Sequence, residues 1–241
     1  MIWWIAATVC AFFVKGLCGF ANTLVFGTIM SFGVSNKNIS PVELLLGYPA
    51  NAIVAWRERK AIDFRICLPL SALVILGSIP GMLLLKNADT GTIKLLFGAA
   101  IVGVGMEMLL HEHSKKQMKE SKRVLALIGL LSGLLCGLYG IGALLGAYIG
   151  RVAKDSSAFR GNICVVFLAE NTMRIVLYSA MGILNTGMLL QAICLFPFVL
   201  LGLFLGSKSS AVLDERVVRR LVVVMLIVSG LSLIGGQLGA L

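Results

Sequence analysis

The sequence predicts an all-α polytopic membrane protein made of two inverted repeats, each one re-entrant helical hairpin plus three transmembrane helices, about eight apolar segments in all. Three observations predict it. The composition is strongly apolar, a glycine-broken element occurs once in each half, and the basic residues choose a side of the membrane only if both broken elements turn back.

The chain of 241 residues is 59% hydrophobic and 13% charged, with a mean hydropathy of +0.97. A soluble domain has about 45–50% apolar and about 25% charged residues. Apolar runs of roughly 20 residues recur without the alternation of a barrel strand, which selects the helical class of membrane protein. The net charge of +10 does not indicate nucleic acid, because the basic residues sit in short loops between apolar runs rather than in a stripe interleaved with aromatics. Cys10, Cys18, Cys67, Cys136, Cys164 and Cys194 all fall in apolar runs and form no CxxC pair, so they read as small buried hydrophobes. His111 and His113 lie in a charged loop, and no metal or cofactor is expected. The start, Met1-Ile2-Trp3-Trp4, has no basic n-region, so neither a cleavable signal peptide nor a soluble appendage is expected.

In chain order, the first apolar run spans 2–33 and contains Lys15-Gly16-Leu17-Cys18-Gly19-Phe20. Unbroken, it would be a helix of about 48 Å against a hydrocarbon core of about 30 Å. A break at Gly16–Gly19 makes it a hairpin of two half-helices. Helices follow at 41–56, 66–85 and 91–110, completing a first repeat over 1–110. The linker 111–123 carries five basic residues. The second repeat, 124–241, opens with a hairpin over 124–150 that breaks at Gly137–Gly142, then continues with helices 161–182, 187–206 and 217–240. An offset of 125 aligns Gly77 with Gly202, Gly81 with Gly206, Asp89 with Asp214 and Lys94 with Arg219, which argues for duplication. The Gly-x3-Gly spacing also lets helices approach closely.

Loop charge sets the topology. If all eight segments cross, the two sides carry ten and nine basic residues and no orientation emerges. If 2–33 and 124–150 are re-entrant, loops 57–65, 111–123, 151–160 and 207–220 share a side with sixteen, leaving Lys37, Lys86 and Lys94 opposite. The positive-inside rule then makes 111–123 cytoplasmic and both termini external. Three crossings and a hairpin per half turn the halves upside down relative to each other.

Broken helices at matching places in two halves point to a transporter's binding site. Half-helix N-termini present unpaired N–H groups and partial positive charge, which suit an anion, and glycine lets backbone approach it. The candidate lining is Gly16, Cys18, Gly19, Phe20 and Asn22 from the first hairpin, and Gly137, Tyr139, Gly140 and Gly142 from the second. Lys15 is either the counter-ion of an anion or a structurally paired cation. Arg174 is a second buried charge or the partner of Glu170 one turn earlier, and Glu170 is the candidate proton carrier. Asn51 and Asn171 occupy corresponding places and are candidate donors. Glu43 and Glu107, near segment ends, are expected at the interface. For Cys18 and Cys136, fitting a tight helix crossing is favoured over contact with a sulfur ligand.

At these residues the sequence resembles the sulfite exporter TauE/SafE family of membrane permeases. Lys15-Gly16-Leu17-Cys18-Gly19-Phe20 is similar to its first-half element, and Ser132-Gly133-Leu134-Leu135-Cys136-Gly137-Leu138-Tyr139-Gly140-Ile141-Gly142 to its second. Phe159-Arg160-Gly161 before a helix and the two Gly-x3-Gly junctions are also similar, so the resemblance spans nearly the whole chain. Many members have Gly-Gly-Gly or Gly-Gly-Pro after the break, where this chain has Ala21-Asn22-Thr23 and Gly142-Ala143-Leu144. The resemblance implies transport of small sulfur-containing anions such as sulfite, thiosulfate, sulfonates and sulfoacetate across a bacterial cytoplasmic membrane.

The expectation is therefore a secondary transporter, an exporter of such an anion by alternating access, and not an enzyme. An anion channel of the same architecture, or a permease for another small anion or a cation, is the alternative. The expected partners are the anionic substrate and the bilayer, with a homodimer left open and no nucleic acid.

Overall fold

The computed structural model describes residues 2–33, 39–87, 122–140 and 142–210, with scattered positions between 99 and 106 and between 220 and 235. Among the described residues the regular structure is all helical. The chain runs α1 (Ile2–Cys18), α2 (Asn22–Gly33), α3 (Ile39–Arg57), a 3-10 turn (Arg59–Ala61), α4 (Phe64–Asn87), α5 (Lys122–Tyr139), α6 (Ala143–Val152), α7 (Ser156–Ala180) and α8 (Thr186–Ser210). The predicted helices 91–110 and 217–240 and the linker 111–123 lie largely or wholly outside the described residues. Both long apolar runs that were expected to break are divided, one between α1 and α2, the other between α5 and α6.

Local chemistry sets the helix ends. Asp155 caps α7 by accepting from the Ala158 amide at 2.7 Å, and Asn185 caps α8 by accepting from the Met188 amide at 2.9 Å. Gly182, at φ +67, ends α7 in a left-handed turn with the Ile183 amide bonded back to the Tyr178 carbonyl. Three helices are long and apolar enough to cross a membrane, within Phe64–Leu83, Ser156–Ala180 and Thr186–Ser210. The protein is inside-out in the membrane sense. Trp56, Leu68, Leu76, Val176, Leu190 and Phe204 are exposed, while Lys15, Asn22, Glu43, Asn51, Glu170, Asn171 and Arg174 are buried. Lipid can satisfy the first group and not the second.

Two glycine-lined crossings hold the bundle. A Cβ on Gly16 would lie 2.6 Å from the Leu203 carbonyl oxygen and 3.0 Å from Gly206 Cα. A Cβ on Gly133 would lie 2.8 Å from Gly77 Cα, and one on Gly81 3.2 Å from Gly137 Cα. Thus α1 lies along α8, and α5 along α4, each pair running parallel with backbones in contact. The glycines that aligned at one offset, Gly77 with Gly202 and Gly81 with Gly206, sit in corresponding crossings.

The pairings α1 with α8, α3 with α8 and α2 with α3 recur as α5 with α4, α7 with α4 and α6 with α7. Between them, α3 packs on α7, and these two run antiparallel. Ser40 at the start of α3 accepts from Arg174 late in α7, Tyr48 meets Thr172, and Glu58 just past α3 meets Arg160 at the start of α7. Loops 57–65 and 151–160 therefore share one end of the bundle, tied by the Glu58–Arg160 ion pair at 3.3 Å and by the Asp63 amide donating to Asn162 Oδ1 at 2.8 Å.

Candidate functional site

Each helix break is a left-handed cap followed at once by a new helix. The Gly19 amide still bonds to the Lys15 carbonyl at 2.7 Å, then Gly19 at φ +85 and Ala21 at φ +70 turn the chain. The Val25 amide bonding to the Ala21 carbonyl starts α2. In the second break the Gly140 amide bonds to Cys136, Gly140 takes φ +72, and the Gly146 amide bonds to Gly142 to start α6. A Cβ at Gly140 would lie 2.7 Å from Arg174 Nη1, so glycine there makes room for the guanidinium as well as the turn. Ala21 has a Cβ in the left-handed region, a strain of about 1–2 kcal/mol.

The two new helices open onto one cavity, lined by Phe20, Ala21, Asn22, Thr23, Leu24, Glu43, Asn51, Gly140, Gly142, Phe167 and Asn171. The start of α2 lines it with Asn22, Thr23 and Leu24, and Gly142, the residue ahead of α6, lines it too, so two helix N-termini with unpaired first amides and positive dipole ends border it. The cavity is small, about 20 Å³, which is room for a water or two. A larger guest requires the walls to move.

Lys15 lies behind this wall, 1% exposed. Its ammonium donates to Asn22 Oδ1 at 3.0 Å and Asn51 Oδ1 at 2.7 Å, and stands 5.8 Å from the Phe167 ring centroid. With both carbonyls turned to Lys15, the Asn22 Nδ2 donates to Glu43 Oε1 at 2.5 Å, and Thr23 Oγ1 donates to the same oxygen at 2.9 Å. Arg174 donates to Ser40 Oγ at 3.1 Å and Tyr178 OH at 3.4 Å. Its Nε is 3.7 Å from Glu170 Oε1, an ion pair without hydrogen-bond geometry, and both atoms are buried without a hydrogen-bond partner among the described residues. Among the described residues the interior thus holds two cations and two carboxylates.

Of the residues expected at the site, Phe20, Asn22, Asn51, Gly140, Gly142 and Asn171 line the cavity, while Lys15 and Arg174 stand directly behind lining residues. Gly16 and Gly137 lie in the two crossings instead. Gly19 packs against Arg160, and its carbonyl accepts from Cys164 at 3.4 Å. The Cys18 thiol donates to the Val14 carbonyl at 3.0 Å and the Phe20 carbonyl at 3.3 Å. Tyr139 ends α5, and its side chain lies outside the described residues. Glu43 was expected at the interface; it is 4% exposed and lines the cavity. The helix starts at Ile39, ahead of the expected 41, and Arg174 covers that end through Ser40. Glu107 lies outside the described residues. A usable signal was present: Glu43, Gly47 and Asn51 follow at four-residue steps, one face of a helix. Among the described residues no group of three or more His, Cys, Asp or Glu side chains could hold a metal ion.

The family model described as Sulfite exporter TauE/SafE matches residues 4–233. No curated protein and no solved structure matches the chain. The match covers both glycine breaks, Lys15, Glu43 and both halves of the cavity wall, and the chain accordingly belongs to the sulfite exporter TauE/SafE family of membrane permeases.

Proposed function

We propose that the chain is a secondary transporter that exports a small sulfur-containing anion of the sulfite, thiosulfate, sulfonate or sulfoacetate type across the cytoplasmic membrane by alternating access. The observation that carries this reading is the meeting of two half-helix N-termini, with Lys15 bonded behind them through Asn22 and Asn51, at one membrane-buried cavity. Backbone amides of α2 and α6 would take the oxygens of the anion, and Lys15 would supply the counter-charge. Arg174 stabilises the second break from behind and keeps Glu170 paired.

The moving parts are the two repeats, 1–110 and 124–241, joined by a cytoplasmic 111–123. The antiparallel course of α3 and α7 supports an axis in the membrane plane, because two helices exchanged by an axis perpendicular to them must run in opposite directions.

The test is uptake into proteoliposomes of radiolabelled sulfite, thiosulfate, a sulfonate and a carboxylate, with and without unlabelled anion inside. Saturable flux of a sulfur anion, stimulated by counterflow, is expected. Unsaturable flux would make the protein a channel, and a clear carboxylate preference would overturn the sulfur assignment.

A further inference from the structure

Among the described residues lining the cavity, Glu43 is the only acidic side chain, and it stands where an anion's oxygen would. Its Oε1 takes the Asn22 amide and the Thr23 hydroxyl, the side chains of the first two residues of α2, at the positive end of that helix. Those donors and that helix end are what a bound oxyanion needs. The charges facing Glu43 are Lys15 from α1 and Arg174 from α7, with the Glu170 carboxylate beyond Arg174. From α2 it meets the uncharged Asn22 and Thr23. Among the described residues, these two cations and two carboxylates balance. Adding an anion would leave net negative charge in a membrane-buried cavity, where an uncompensated charge is costly.

We propose that Glu43 is the built-in occupant of the anion site, that a proton must neutralise it before the anion binds, and that anion and proton therefore share one transport cycle. The proposal rests on the anion-transport reading above. The step balances simply: the carboxylate takes one proton from water on the open side, becomes a neutral acid, and returns the proton on the other side, with no other bond made or broken. The neutral acid no longer holds Asn22 Nδ2 and Thr23 Oγ1 by charge, and both donors turn to the anion. A monoanion then crosses without net charge, and a dianion with one.

The experiment uses the full chain in proteoliposomes, with thiosulfate and methanesulfonate as labelled probes. Neither changes protonation through the neutral range, so pH acts on the protein alone. A trapped pH dye reports protons. Wild-type exchange should rise several-fold from about pH 8 to about pH 6, and in net uptake into anion-free vesicles protons should move with the anion. Glu43→Gln should exchange at the faster rate at both pH values and move no protons. A Glu43→Gln protein that keeps the wild-type pH profile and proton movement overturns the proposal, as does net wild-type anion uptake without protons. Should Glu43→Gln fail to insert, proton uptake by detergent-solubilised wild type on adding thiosulfate decides instead: uptake supports the proposal and its absence overturns it. Labelled lactate, run alongside, is the carboxylate control: if it alone is moved, with proton movement lost in Glu43→Gln, the sulfur reading falls and the role of Glu43 stands.

Discussion

The Lys15 ammonium donates to Asn51 Oδ1 at 2.7 Å, a bond from the end of the first half-helix to the middle of α3. With the companion bond to Asn22, it fixes which way both amides face: carbonyls to Lys15, and the Nδ2 of Asn22 to Glu43. Hydrogen bonds to a charged group contribute about 1.5–3 kcal/mol each, so Lys15→Gln should lower anion flux by about 10–100-fold while the protein still elutes as a single folded species from detergent. Undiminished flux would remove Lys15 from the transport cycle.

The glycine crossings make a paired prediction. Gly81→Val and Gly206→Val each drive a side chain into the backbone of the neighbouring helix, α5 in one case and α1 in the other. Overpacking of this kind costs about 1–3 kcal/mol, and both variants should melt earlier than wild type in detergent by similar amounts. A large effect at one position and none at the other would break the equivalence of the two crossings.

Ala21 offers a change in the opposite direction. Its left-handed backbone costs about 1–2 kcal/mol for a residue with a Cβ, and glycine removes that strain while adding about 0.5–1 kcal/mol of unfolded-state entropy. Ala21→Gly should therefore raise stability by up to about 1.5 kcal/mol, read as a higher melting temperature with flux retained. A fall in melting temperature would mean that the Ala21 methyl makes a contact worth more than its strain.

Much of this fold was legible because membrane physics leaves large marks on sequence. Lys15 and Arg174 stood out as cations inside apolar runs, and the glycine breaks as interruptions of runs too long to be one helix. The helix termini were legible to within a few residues: 66–85 was expected where Phe64–Asn87 forms, and 187–206 where Thr186–Ser210 forms. Glu43 was hidden because distance from a segment end is a poor measure of depth when another helix covers that end. The partners of the crossings were hidden as well. Small residues at four-residue spacing announce a close approach without naming the helix approached, and nothing in Gly16 points to Gly206.

The topology has a direct test in the linker 111–123, which lies outside the described residues as far as 121. A single cysteine at Ser114 should react with an impermeant reagent from the cytoplasmic side, and one appended after Leu241 from the external side. Both reacting from one side would overturn the re-entrant arrangement.

Alternating access makes a further prediction at the end of the bundle where Glu58 meets α7. A Cβ on Gly161 would lie 3.3 Å from Glu58 Cβ, close to the roughly 3.5–4.5 Å that a disulfide requires. Glu58→Cys combined with Gly161→Cys should oxidise readily, stop flux, and recover it on reduction. Full flux in the oxidised protein would mean that loops 57–65 and 151–160 do not separate during transport.

The pairing of α1 with α8 also bears on how the chain is made. The face of α1 that carries Val9, Phe13 and Gly16 finds its partner only when residues 202–207 have been synthesised, almost the whole length of the protein later. At about 5–20 residues per second, that is a wait of roughly 10–40 s during which the first helix has no native neighbour from α8. The partner of α5, by contrast, is α4, which has already been synthesised when α5 emerges. The second half can thus assemble on a template as it leaves the ribosome, while the first half is finished last.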